Sequence, residues 1–258
     1  MNAWLSASIL SWLARDEGGT ILDSAMRRRS YQHLQRAEYF LSCDTIPSDH
    51  DRADCISNLR KCLSHRLKHF ESVYNLRSVI EAPKKRPYLE ILAELGVVRP
   101  SLIEGLLQIR NDVEYNDAVP PDSERCHQFV DIMWYLLRST DAMLHTARTG
   151  LMLTPPDADP WDSVYWCSLD LEYSPTFDVN ITGWVPSTCR WVPSTCASAF
   201  EKASHLAVEA ESVHTKAEKW GSGSEHADKQ DDDVWINGRV LPRPEERHRI
   251  VHLALSAM

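Results

Sequence analysis

The sequence predicts an α+β protein, with an all-helical bundle in the first 148 residues followed by a small β-rich C-terminal domain. Three observations carry that expectation. Apolar residues in the first part recur every three or four positions, as in Ile56, Leu59, Leu63, Leu67, Phe70 and Tyr74. From Val164 to Thr182 the composition shifts to Val, Tyr, Trp, Phe, Ile and Thr, the residues of pleated strands. Between the two, Gly150 to Pro160 holds three prolines and two aspartates and reads as a linker. The expected organisation is a helical domain over 1–148, a linker over 149–160 and a β-rich accessory domain over 161–258.

The elements follow in order. Trp4, Leu5, Ile9, Trp12 and Leu13 suit a short amphipathic helix packed on the domain, broken at Gly18-Gly19. A second helix runs from about Met26 to Ser42, with Tyr31, Leu34, Ala37 and Leu41 inward. Ile46-Pro47-Ser48-Asp49 is a turn whose Ser48 or Asp49 caps the next helix. That helix extends through Tyr74, more than five turns. Pro83 to Pro87 interrupts it, enclosing Lys84-Lys85-Arg86. Tyr88, Ile91, Leu92 and Leu95 form a short helix closed by Gly96. Pro100 and Ser101 open another helix, and Pro120-Pro121 ends it because proline lacks the N–H a helix requires. Asp122 or Ser123 caps a last helix that reaches Arg148. Beyond the linker, Pro175 divides two strands and Leu206 to Thr215 alternates weakly. Ser222 to Asp233 is rich in Gly, Ser and Asp and reads as a mobile loop. Asn237-Gly238, set between apolar pairs, predicts a hairpin turn. Glu245 to Ala257 predicts a final helix.

Composition narrows the function. Hydrophobic residues make up 43% and charged residues 25%, the balance of a soluble globular protein. The net charge of −9 is uneven: residues 1–148 hold 19 Lys+Arg against 20 Asp+Glu, and residues 149–258 hold 9 against 17. This excludes a polybasic nonspecific binder but leaves local phosphate contacts open. Seven cysteines without a CxxC pair fit reduced thiols in the cytoplasm. No apolar run approaches the ~18 residues of a membrane span, and the N-terminus has no positively charged leader. No P-loop, GxGxxG, HExxH or GxSxG element occurs, so no cofactor is expected.

The helix around Leu106-Leu107-Gln108-Ile109-Arg110-Asn111 concentrates polar chemistry. Leu102, Leu106, Ile109 and Val113 form one apolar stripe, and Arg110, Asn111, Glu114 and Tyr115 crowd beside it. An Arg-Asn pair after a Leu-Leu-x-Ile run resembles the signature helix of the HEPN superfamily, all-helical domains of bacterial toxins, defence proteins and RNA-processing factors. The likeness covers about residues 26–148. It implies a homodimer that pairs its signature helices and a composite site for metal-independent RNA cleavage. There the Arg would hold the scissile phosphate and a His four to six positions later would move protons. Here those positions are Tyr115, Asn116 and Asp117. A phenol titrates near ~10 and is a poor base at neutral pH. The resemblance therefore implies a catalytically weakened or inactive module that dimerises and binds RNA or a partner protein, in defence or toxin–antitoxin regulation. The alternative is an active endoribonuclease centred on Arg110. Read by spacing alone, Arg110 and Glu114 are an i,i+4 ion pair with Tyr115 beside it as a packing residue.

Other residues complete the candidate set. Arg60, Lys61, Lys84, Lys85 and Arg86 could contact an RNA backbone, as could Arg27-Arg28-Arg29, Arg66 and Lys68, and a solvated helix face explains them equally. His65 and His69 have a spacing metals use, but Arg66 and Lys68 between them repel a cation, and no metal is expected. Cys126-His127 diverge on a helix. His127 could reach Tyr115 across the Pro-Pro corner and replace the missing His. Trp184-Val185-Pro186-Ser187-Thr188-Cys189-Arg190 is repeated at once by Trp191 to Cys196, which lengthens a loop or offers two tryptophans for stacking.

Overall fold

A computed structural model of the 258-residue chain describes residues 2–22, 25–42, 46–99, 101–115, 118–159, 163–191, 204–220 and 228–256. The chain divides into two compact units. One comprises Met1–Thr20, Ser78–Glu81 and Arg148–Met258, and the other Ile21–Arg77 and Ala82–Ala147. The helical unit is thus inserted in the chain of the sheet unit as two segments, with Ser78–Glu81 of the sheet unit between them.

The sheet unit corrects the expectation of a small C-terminal β domain. It holds β1 (Asn2–Ser6), β2 (Leu13–Ile21), β3 (Thr146–Thr154), β4 (Trp166–Glu172), β5 (Asp178–Val185), β6 (Arg190–Trp191), β7 (His205–Thr215) and β8 (Val234–Leu241). They form one eight-stranded sheet in the order β2-β3-β4-β5-β8-β7-β1-β6. Pairing is antiparallel from β3 through to β6. Buried Cys167, Leu169 and Leu171 alternate along β4, and Leu206, Val208 and Ala210 along β7, the period-two signature of a strand with one covered face. A short helix, α7 (Lys216–Trp220), follows β7, and α8 (Pro244–Ser256) closes the chain with Ile250, Val251, Ala254 and Leu255 buried.

Three element expectations fail here for identifiable reasons. The N-terminal helix is instead β1, a 3-10 turn at Ala7–Ser11 and β2. The turn buries Ile9 and Leu10, so its local helical spacing, set between two strands, mimics a longer amphipathic helix. The linker begins as β3, whose Leu151 and Leu153 are fully buried; only the Pro-rich part beyond Thr154 lacks regular structure. Asn237-Gly238 makes no turn but runs within β8, opposite a register shift between Ala210 and Ser212. A Cβ at Gly238 would stand 2.6 Å from the Glu209 carbonyl oxygen. The glycine serves close strand approach, not a reversal. The expected two strands around Pro175 are present as β4 and β5, and the weakly alternating stretch Leu206 to Thr215 falls in β7. Residues 222–227 of the expected 222–233 loop lie outside the described residues.

The helical unit matches its pattern closely. It contains α1 (Ala25–Leu41), α2 (Asp49–Tyr74), α4 (Tyr88–Glu94), α5 (Ser101–Tyr115) and α6 (Ser123–His145), and a single turn, α3 (Leu76–Val79), follows α2 with its Ser78 and Val79 counted in the sheet unit. Ser48 and Asp51 form a reciprocal capping box at α2, and Asp122 caps α6. α2 ends at Asn75 in the left-handed region, φ 45°. The core gathers Leu34, Ala37, Ile56, Leu59, Leu63, Leu106, Phe129, Met133 and Leu137 from α1, α2, α5 and α6.

The insertion enters and leaves the helical unit at adjacent points, since the Leu22 N–H donates to the His145 carbonyl at 3.0 Å. β2 and β3 are neighbours in the sheet. Replacing residues 22–145 by a two-residue Asn-Gly turn, which also removes Ser78–Glu81 of the sheet unit, should therefore still leave a cooperatively folding sheet. Far-ultraviolet circular dichroism and thermal melting check this; a spectrum of unfolded chain would show that the sheet needs the insert.

Candidate nucleic-acid interface

The charge of α1 is one-sided in sign. Ala25–Leu41 carries Arg27, Arg28, Arg29 and Arg36 against one carboxylate, Glu38. Ser30, Leu34, Ala37 and Leu41 turn into the core, which leaves Arg28, Arg29, Gln32, Gln35 and Arg36 exposed. Gln32 stands in the wall of three recesses along this helix. One, of about 550 Å³, lies between α1 and α6. Another, of about 420 Å³, is bounded by Arg29, His33 and Arg36. The third, of about 560 Å³, runs on to Tyr39 and Phe40. Tyr39 is 69% exposed, an aromatic ring at the end of a basic helix face.

Beneath this face lies an unexpected buried cation. The α2 stripe predicts Leu67 as the core residue of its turn, but Arg66 is the more buried, at 1% exposure, with Leu67 half-buried. Its Nη2 donates to Asp141 Oδ1 at 2.9 Å and to the Leu137 carbonyl at 3.2 Å. Asp141 Oδ2 accepts from the Tyr31 hydroxyl at 2.7 Å. Burial first, and then Asp141, raise the Tyr31 phenol to about 12, so it remains a donor across the physiological range. The Nε and Nη1 of Arg66 are buried without a hydrogen-bond partner. A buried guanidinium is retained only where a carboxylate compensates it, which makes Asp141 indispensable to this helix packing.

On the α2 side, His33 and His65 stack with ring centroids 5.1 Å apart and planes within 8°. His33 Nδ1 lies 3.4 Å from Asn58 Oδ1. Partial burial, His33, Arg29 and Lys68 together hold the His65 pKa below its usual value. Lys61, His65 and Lys68 follow the same i, i+4, i+7 spacing on α2 as Arg29, His33 and Arg36 on α1, so each helix offers one cationic stripe.

The sequence candidates distribute as follows. Asn111 is exposed on α5, Leu106 is buried and Ile109 half-buried. The side chains of Arg110, Glu114 and Tyr115 lie outside the described residues. Arg60 and Lys61 are exposed on α2. Lys84 and Lys85 are exposed in the turn before α4, while Arg86 pairs with Glu94 at 2.6 Å and Glu90 at 3.6 Å. Arg66 is removed from any phosphate track by its burial. Among the described residues no group of three or more His, Cys, Asp and Glu could hold a metal, and no helix is long and apolar enough to cross a membrane. Cys126 is buried with its thiol against Cys55, and exposed His127 bonds the Ser123 carbonyl at 2.7 Å. The two repeated tryptophans have separate partners: Trp184 packs on Trp235, and Trp191 on Trp4 and His205. Sequence reasoning missed Tyr31, Arg138 and Asp141 as a group. The available signal was a charged residue, Arg66, within an otherwise apolar helical stripe, which demands a carboxylate from another helix.

Comparison of the chain with models of known families, with curated proteins and with solved structures found no match.

Two measurements check this arrangement. Asp141→Ala strands Arg66 and should cost about 3 kcal/mol of stability, the scale for breaking a buried pair by removing one partner. Urea denaturation reads it, and a change under about 1 kcal/mol would mean Arg66 finds other compensation. The lowered His65 pKa means that the unfolded chain binds more protons than the native one just below the ordinary His value of ~6.5. Stability should therefore be full above that value and decline as pH falls below it, with His65→Gln flattening the decline. An identical pH profile in wild type and variant would remove His65 from the linkage.

Proposed function

We propose that the helical unit is an RNA-binding module of HEPN-like type, with α1 as its principal contact surface. The observation that carries this reading is the arginine face of α1, recessed on both sides and ending at an exposed tyrosine. Phosphates seek fixed cations, and a guanidinium fork meets a phosphate in two hydrogen bonds. Recesses lined by Gln and aromatic side chains suit unstacked bases, which favours single-stranded over duplex RNA. The exposed Arg60 and Lys61 extend the cationic surface on α2.

The same reading makes the protein a homodimer in which α5 of one copy meets its partner. An apolar recess of about 340 Å³ beside α5, walled by Val98, Ile103, Ile132, Tyr135 and Leu136, supports it, since an exposed apolar patch invites cover. Tyr135 at its rim is 68% exposed. Tyr115 in place of the family His supports binding as the main activity, in the setting of defence or toxin–antitoxin regulation that the HEPN likeness implies.

Fluorescence anisotropy with a labelled single-stranded RNA tests the module. Affinity should fall steeply with salt, and Arg28→Gln and Arg36→Gln should each reduce the slope of log K against log salt by about 0.7, the single-strand value for one lost phosphate contact. Salt-independent or absent binding would reject the reading. Light scattering across a wide concentration range tests the dimer, and a monomeric mass throughout would reject that part alone.

A further inference from the structure

We propose, resting on the reading of α1 as an RNA face, that the cleft between α1 and α6 receives the terminal phosphate monoester of an RNA strand. Three arginines, Arg27, Arg28 and Arg138, line the cleft, and its one carboxylate is Asp141. That carboxylate is already compensated from below, because Arg66 holds one oxygen and Tyr31 donates to the other. Among the described residues no carboxylate forms an ion pair with Arg27, Arg28 or Arg138. Among the described residues, the cleft therefore presents three arginines without a paired carboxylate around one small volume.

Two of those cations are held in place. The Arg138 guanidinium lies 5.2 Å from the Trp134 ring centre and 5.9 Å from that of Tyr31. Such stacking restrains its plane while leaving N–H groups at its edge to donate. Arg27 Nη1 lies 3.2 Å from His145 Nδ1, within hydrogen-bonding distance. A fork held before the ligand arrives loses less freedom on binding it.

The ligand class follows from matching charge and size. An internal phosphodiester carries one negative charge, whereas a phosphate monoester carries between about 1.5 and 2 at neutral pH and offers three free oxygens. Three arginines exceed what a diester uses and suit a monoester. A volume of about 550 Å³ is more than a lone phosphate fills. It lies within the roughly 300–1,000 Å³ of small-molecule sites, so a nucleoside can enter with its phosphate. Gln32 and Gln35 line the same cleft and carry both donors and acceptors for a base edge. From there the strand continues along α1, past Arg36 towards Tyr39.

The test uses the full-length protein and one 12-nucleotide single-stranded RNA in three forms: 5′-phosphorylated, 3′-phosphorylated, and hydroxyl at both ends. A nucleoside 5′-monophosphate serves as a competitor without a strand. One phosphorylated form should bind about tenfold more tightly than the hydroxyl form, the scale of an added charge-assisted hydrogen bond. The form that gains identifies which end enters. Arg138→Gln, and independently Arg28→Gln, should bring that form to the level of the hydroxyl strand measured on the same variant. Both side chains are exposed, so neither change empties the core. Equal affinity for all three forms in wild type would overturn the terminal-phosphate site while leaving the RNA face standing. Binding of the mononucleotide alone would overturn the strand as occupant, and no binding of any RNA would overturn both readings.

Discussion

The guanidinium of Arg66 sits in the helical core at 1% exposure, and its neutralisation shapes everything above it. An ion stripped of water is tolerated only beside an opposite charge with good geometry. Asp141 supplies that charge from α6, and the Leu137 carbonyl on the same helix takes a second bond. The remaining Asp141 oxygen fixes the Tyr31 hydroxyl on α1. One buried cation thereby ties three helices together. It also cancels the acidic group that would otherwise neutralise the arginines at the surface. Packing and surface potential are two consequences of the same pair.

The topology separates this chemistry from the sheet. β2 and β3 are neighbours in the sheet, although the entire helical unit intervenes between them in sequence. An insertion whose ends meet by a backbone hydrogen bond imposes little strain on its host, and each unit keeps its own hydrophobic core. The charge partition follows the same logic. The acidic C-terminal part belongs to the sheet unit, so the basic face of α1 is built from residues of a unit without that excess negative charge. Net charge over the whole chain conceals the local balance, and local balance governs phosphate contact.

Histidine adds a further property to this face. His33 and His65 stack with Arg29 and Lys68 nearby, so a proton arriving on His65 meets cations rather than carboxylates. Such an environment disfavours the charged imidazole until an anion is present. In the RNA-binding reading, a phosphate seated between Arg29 and His33 would relieve that repulsion, and protonation and ligand binding would reinforce each other.

The sequence alone determined the helices of the inserted unit, because their apolar stripes, caps and prolines are local signals. The capping box at Ser48 and the cap at Asp122 act within a few residues of where they stand. It also placed a strand on each side of Pro175, present as β4 and β5. The tertiary structure alone decided that β1 and β2 belong to the sheet, since pairing with β7 and β3 is non-local and a short apolar segment fits a helix or a strand equally. It decided likewise that Asn237-Gly238 is a close approach and not a turn, because the crowding comes from Glu209 and Ala210 on another strand. The candidate site divides the same way. Arg27, Arg28 and Arg29 are legible as a run, but Arg138 and Asp141 are more than a hundred residues away. Only the packing of α1 on α6 brings them to one cleft, and only the burial of Arg66 shows which of the charges remain available.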